Sequence, residues 1–209
     1  MTTANKITLI RIAMIPFFIW FALQSSASTL IAALVLFCVA SFTDFLDGYI
    51  ARKYHQVTDF GKFVDPLADK LLVTAALLIF IEKGIFASWM VFIILAREFI
   101  ITSLRIVAAN KGRVLAATWT GKVKTCVQIA GIIIDFLYLI MIAYTSDTFV
   151  ATAGIIGGAD GPTAIFVTGM PEILPTVVAW VMTLVTLYSG WDYLHKNWDL
   201  IKDGAVKEK

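Results

Sequence analysis

Asp44, Asp47, Asp65 and Asp69 stand in a frame of small and basic residues, Gly48, Ala51, Arg52 and Gly61, giving the run D-x2-D-G-x2-A-R-x8-G-x3-D-x3-D. Acids are costly in or beside a membrane, so four of them at regular spacing in a very apolar chain point to chemistry. Residues three and four apart share a helix face, so Asp44 and Asp47 point together. Gly48 and Ala51 continue that stripe as a patch almost without side chains, against which a nucleotide could lie, and Arg52 follows as a fixed positive charge. Gly61, Asp65 and Asp69 recur every fourth residue, again on one face, provided Pro66 either lies in the first turn or only kinks the helix.

Two helices that each present two carboxylates form a pocket that is unstable without cations. Divalent metal is the natural occupant, because Mg²⁺ takes carboxylate oxygens together with substrate phosphate oxygens in an octahedral shell. Two such ions would neutralise a pyrophosphate and make a nucleoside monophosphate a tolerable leaving group. The attacking hydroxyl then needs a base, and a carboxylate of the same set is available. The plain alternative is that the acids pair with Arg52, Lys53, Lys62 and Lys70 as interfacial salt bridges.

The elements that carry these residues follow from composition. Hydrophobic residues make up 59% of the 209 and charged residues 15%, against about a quarter charged in soluble domains. Six apolar stretches, 7–24, 29–51, 62–82, 85–108, 122–145 and 173–194, each approach the ~20 residues that cross a ~30 Å hydrocarbon core. The expectation is an all-α, polytopic membrane protein with six transmembrane helices, residues 1–209 forming a single transmembrane catalytic domain.

Cation placement orients it. Lys6, Arg11, Arg52, Lys53 and Lys62 flank the first three stretches on one side, with Lys111, Arg113, Lys122, Lys124 and the C-terminal lysines joining them; Lys83 is opposite. Both termini and the aspartate motif are therefore expected at the cytoplasmic face of a cell membrane, a bacterial cytoplasmic membrane in the simplest case. Trp20 and Trp89 would mark the outer interface and Trp119, Trp191 and Trp198 the inner one. Lys6 and Arg11 before an apolar stretch ending at Ser28 also have the look of a signal peptide; the mass of the mature protein distinguishes the two readings. Because the basic residues track topology, nothing supports a nucleic-acid role. Cys38 and Cys126 fall inside spans without CxxC spacing and read as small buried residues.

The eight-position motif resembles that of the CDP-alcohol phosphotransferases, membrane enzymes that move a phosphatidyl or phosphoalcohol group from a CDP-activated donor to an alcohol. The resemblance implies that fold and a homodimer. It also implies two Mg²⁺ or Mn²⁺ ions held by Asp44, Asp47 and Asp65 with Asp69, and Asp69 as the catalytic base. The cytidine diphosphate would be surrounded by Asp44, Asp47, Gly48, Ala51, Arg52, Gly61 and Asp65. Asn5, Thr8 and Arg11 in NKITLIR, the segment AREFIITSLR from Ala96 to Arg105, and GKVKT from Gly121 to Thr125 are similar to the members that use glycerol 3-phosphate. That similarity implies CDP-diacylglycerol as donor, Asn5, Thr8 and Arg11 as its lipid-binding segment, and sn-glycerol 3-phosphate as acceptor. A phosphorylated acceptor needs cations, for which Arg105, Arg113, Lys122 and Lys124 are the candidates. Inositol phosphate, serine or phosphatidylglycerol would keep the chemistry and change the acceptor.

Other residues read more plainly. Arg97 and Glu98 form a candidate structural pair in the fourth span, His55 and His195 read as solvated or interfacial, and Asp135 in the fifth span reads as a hydrogen-bonded packing residue or a functional acid. Residues 146–172 are an extracytoplasmic loop insertion whose GIIGGADGPTAIFVTG segment, Gly154 to Gly169, the resemblance does not cover. Its GGADGPT core resembles a stretch of the beta subunits of sodium-pumping decarboxylases. With Asp135 it suggests a competing reading, a sodium-binding ion carrier, which would leave the spacing of Asp44 to Asp69 unexplained.

Overall fold

The computed structural model describes the backbone of residues 3–54, 59–110, 118–153 and 173–198, and side chains over 8–43, 70–109, 118–145 and 173–198. Among the described residues it is all helical, with α1 Thr3–Leu23, α2 Ala27–Tyr54, α3 Asp59–Glu82, α4 Ser88–Asn110, α5 Trp119–Ala153 and α6 Ile173–Lys196. Each expected apolar stretch falls on one helix. Trp119–Thr145 and Ile173–Lys196 are long and apolar enough to cross a membrane, while Thr8–Leu23 and Ala27–Thr43 are apolar but shorter. α5 runs well past residue 145, because helix hydrogen bonding continues through polar Thr145 to Thr148 where hydropathy has already fallen. α3 starts at Asp59, so Pro66 lies beyond its first turn and that placement of the proline is excluded.

The ends of the helices are fixed by local chemistry. Gly84, at φ 74°, closes α3, with Ile85 N–H donating to the Phe80 carbonyl at 2.9 Å and Gly84 N–H to that of Ile81 at 3.0 Å. This is the Schellman pattern, in which a left-handed glycine satisfies the last carbonyls. Lys83, in the same turn, donates to the carbonyls of Leu23 at 2.8 Å and Gln24 at 3.3 Å, capping α1 with a cation where the helix dipole is negative.

An aromatic core joins four helices. Phe18 of α1 lies 6.0 Å from Phe37 of α2 and 5.8 Å from Phe136 of α5, and Phe136 lies 5.1 Å from Phe80 of α3, centroid to centroid. Around it, buried alanines such as Ala22, Ala33, Ala40 and Ala76 let the helices approach closely, as membrane packing requires. The outer surface keeps Phe17, Phe42, Phe92 and Phe99 exposed, the arrangement expected when lipid rather than water is outside. Trp20, Trp89, Trp119, Trp191 and Trp198 are all on the surface. Cys38 and Cys126 are exposed rather than buried, a correction with a simple cause: an apolar span does not say which of its faces meets protein and which meets lipid or a cavity.

The α5–α6 crossing depends on Gly131. A Cβ there would run into the Met182 sulfur and stand 3.2 Å from Val178 Cγ1. Gly131→Leu is therefore expected to cost about 1–3 kcal/mol by overpacking and to lower the melting temperature by roughly 2–10 °C. Thermal unfolding in detergent checks this, and an unchanged midpoint would show that the helices separate without penalty.

Candidate active site

The motif residues ride on the end of the α2–α3 pair. Asp44, Asp47, Gly48, Ala51 and Arg52 lie in the last part of α2, and Gly61, Asp65 and Asp69 in the first part of α3, all with helical backbone. The two runs adjoin the same connection, so helix register keeps each set on one face and chain connectivity brings both to one end of the pair. The side chains of these residues lie outside the described residues, as do those of Asn5 and Arg113, the connection holding His55, and the whole of Gly154 to Gly169.

Deeper along the same helices is a cavity of about 330 Å³ that draws its walls from five of the six. Ser41, three residues before Asp44, and Lys70, next after Asp69, line it together with Arg11 of α1, Glu98 of α4, and Lys124 and Gln128 of α5. Among the described residues its walls carry three cations, Arg11, Lys70 and Lys124, and one acid, Glu98. Arg11 is 2% exposed and Lys124 4%. Removing such charges from water is expensive, and inside a membrane protein they mark a functional pathway or site by default.

Hydrogen bonds hold that charge in place. Lys124 Nζ and Arg97 Nη1 both reach Glu98 Oε1 at 2.7 Å, tying α4 to α5. Arg97 Nη2 donates to Ser189 Oγ at 2.6 Å, tying α4 to α6. The contact relies on Gly190, where a Cβ would stand only 3.1 Å from the Arg97 stem. Lys70 donates to Thr102 Oγ1, which in turn donates to the Glu98 carbonyl at 2.7 Å, linking α3 to α4. The cavity is thus a rigid, cation-lined recess directly behind the aspartate-bearing helix ends, suited to a small anion.

The expected phosphate ligands separate. Lys124 is in the cavity, and so is Arg11, which the sequence assigned to a donor-lipid segment with Thr8; Thr8 is also buried, at 2%. Arg105 is elsewhere: its Nε donates to the Tyr193 hydroxyl at 3.3 Å and its guanidinium lies 5.5 Å from that ring centroid. Lys122 is exposed. Arg97 and Glu98 do form the expected pair, but Glu98 also holds Lys124. Lys70 enters the sequence reading only in the salt-bridge alternative, and Gln128 is passed over there, although a polar residue one turn beyond Lys124 in an apolar span was its signal.

Asp135 is fully buried, and neither carboxylate oxygen has a hydrogen-bond partner among the described residues, contrary to the expected hydrogen-bonded packing role. Replacing an unsatisfied buried polar group with an apolar one of similar size commonly stabilises. Asp135→Val is expected to gain roughly 1–2 kcal/mol and to leave turnover intact; lost transfer activity in the well-folded variant would show that the acid has a functional role.

A family model described as CDP-alcohol phosphatidyltransferase matches residues 1–188. The CDP-diacylglycerol--glycerol-3-phosphate 3-phosphatidyltransferase of Bacillus subtilis (strain 168) is 39% identical over 210 residues, covering 95% of this chain and 96% of the relative. The protein of that name from Rickettsia bellii (strain RML369-C) is 33% identical over 190 residues, covering 90% and 91%. The one from Escherichia coli (strain K12) is 43% identical over 133 residues, covering 60% of this chain and 71% of the relative. The chain belongs to the CDP-alcohol phosphatidyltransferase family.

Proposed function

We propose that this protein transfers a phosphatidyl group from CDP-diacylglycerol to the 1-hydroxyl of sn-glycerol 3-phosphate, forming phosphatidylglycerophosphate and releasing CMP. The observation that carries this reading is the recess of Arg11, Lys70 and Lys124 immediately behind the helix ends that bear the four aspartates. Buried cations behind the helix ends that carry the aspartates favour an anionic acceptor over serine, and the names of the aligned relatives specify the same donor and acceptor.

In this mechanism Asp44, Asp47, Asp65 and Asp69 would hold two divalent ions, Mg²⁺ or Mn²⁺; an all-carboxylate donor set fits such hard ions. When bound, they supply charge neutralisation at the pyrophosphate. Asp69 takes the proton from the acceptor hydroxyl. Gly48, Ala51 and Gly61 leave room for the cytidine diphosphate, Arg52 offsets its charge, and Asn5 and Thr8 border the donor lipid. Lys124, with Arg11 and Lys70, receives the acceptor phosphate. Arg105, which lies against Tyr193, exposed Lys122, and Arg113 stay candidates for the same phosphate. Six spans with both termini and the site at the cytoplasmic face of a cell membrane, and a homodimer using exposed apolar faces of α3 and α4, complete the reading. The ion-carrier alternative finds no support in the family match.

The test is purified protein in detergent–lipid micelles with CDP-diacylglycerol, labelled glycerol 3-phosphate and Mg²⁺, beside an EDTA control. Labelled lipid that disappears with EDTA is the expected result. CMP release with a different alcohol alone would keep the family and change the acceptor.

A further inference from the structure

Gln128 lines the cation recess, is 4% exposed, and its Nε2 has no acceptor among the described residues. A buried amide donor without a protein partner is costly, and in a recess that admits a water-soluble acceptor it is met by water or by a ligand atom. Most buried polar groups in native proteins are satisfied, so an exception inside a cavity calls for a ligand atom. Three neighbouring donors are engaged: Lys124 on Glu98 at 2.7 Å, Thr102 on the Glu98 carbonyl at 2.7 Å, and Thr125 on the Gly121 carbonyl at 3.1 Å. Gln128 stands one helical turn beyond Lys124, a rise of about 6 Å along the same face of α5.

We propose that Gln128 determines acceptor specificity by donating a hydrogen bond to the secondary, non-reacting hydroxyl of the phosphorylated acceptor. The proposal rests on the acceptor reading above. Charge matching assigns the phosphate to Arg11, Lys70 and Lys124, leaving the neutral carboxamide to a neutral oxygen. On a three-carbon acceptor that oxygen is one carbon from the phosphoester and one from the reacting hydroxyl. A phosphate held by the recess cations therefore brings that oxygen into the same recess, which Gln128 also lines. A buried donor built for a substrate hydroxyl selects against an analogue without it, because the donor is then left unpaired.

The experiment compares kcat/KM of the full-length protein for sn-glycerol 3-phosphate and for 3-hydroxypropyl phosphate, which keeps the phosphate and the reacting hydroxyl but lacks the secondary one. Wild type should prefer the natural acceptor by about tenfold or more. Gln128→Met, similar in length with no donor, should lose at least about tenfold more on glycerol 3-phosphate than on the analogue, with KM for CDP-diacylglycerol little changed. Gln128→Leu, apolar and unable to donate or accept, serves if the first variant folds poorly and should show the same collapse of preference. Equal losses on both acceptors, or no preference in wild type, would overturn the proposal. A wild-type protein that uses neither phosphate yet releases CMP with another alcohol would overturn the acceptor reading itself, and with it the role of Gln128.

Discussion

Replacing Asp69 by asparagine lowers kcat by roughly 10²- to 10⁴-fold, the range expected when a positioned general base is lost. Asparagine keeps the size of the side chain and one oxygen, so the substitution removes the proton acceptor with little change in shape. Under the proposed assignment KM for the acceptor should move little, because its phosphate is assigned to the recess that starts at Lys70 and not to residue 69. Asp44→Asn supplies the contrast. A ligand loss shows first as a raised metal requirement that excess Mg²⁺ partly restores, whereas no metal concentration restores a missing base. A kcat for Asp69→Asn that recovers with added metal would move residue 69 from base to ligand only, and would leave the proton without a named acceptor.

The limits of the sequence are visible residue by residue. Six apolar runs each became one helix, since hydropathy over ~20 residues reports immersion directly. It reports nothing about helix hydrogen bonding, and so the continuation of α5 to Ala153 was invisible. Nor does it report facing. Cys38 and Cys126 were read as buried because their surroundings are apolar, yet in a membrane the apolar surroundings include lipid. For the recess, sequence could nominate cations but not their depth. Arg105 lies seven residues beyond Glu98, about 10 Å further along the α4 axis, and there it meets Tyr193 of α6 instead of the cavity. Arg11 was tied by motif to the donor lipid, but α1 packs against α2 and α3 so that its buried side reaches the same recess as Lys124. Gln128 could be noticed in sequence as a polar residue in an apolar span, but not that its Nε2 lacks an acceptor among the described residues, which is a three-dimensional fact.

Lys124→Met is the second large effect. A hydrogen bond to a charged group contributes about 1.5–3 kcal/mol, so KM for glycerol 3-phosphate should rise roughly 10- to 100-fold while KM for CDP-diacylglycerol stays near its wild-type value. The variant should fold, because Glu98 Oε1 keeps its other partner, Arg97, at 2.7 Å, and Arg97 keeps Ser189. Glu98→Gln separates binding from scaffolding. If Lys124 only ties α5 to α4, the two substitutions weaken the same tie and differ only in degree, each giving a lower melting temperature with unchanged acceptor KM. If Lys124 receives the phosphate, Glu98→Gln weakens the tie but leaves the ammonium in the recess, and the rise in acceptor KM should be several-fold smaller than for Lys124→Met. Raising ionic strength provides an independent check: a buried cation is screened far less than a surface one, so the acceptor KM of wild type should respond weakly to salt. A steep dependence would place the phosphate on exposed cations such as Lys122 and return the recess to a structural role.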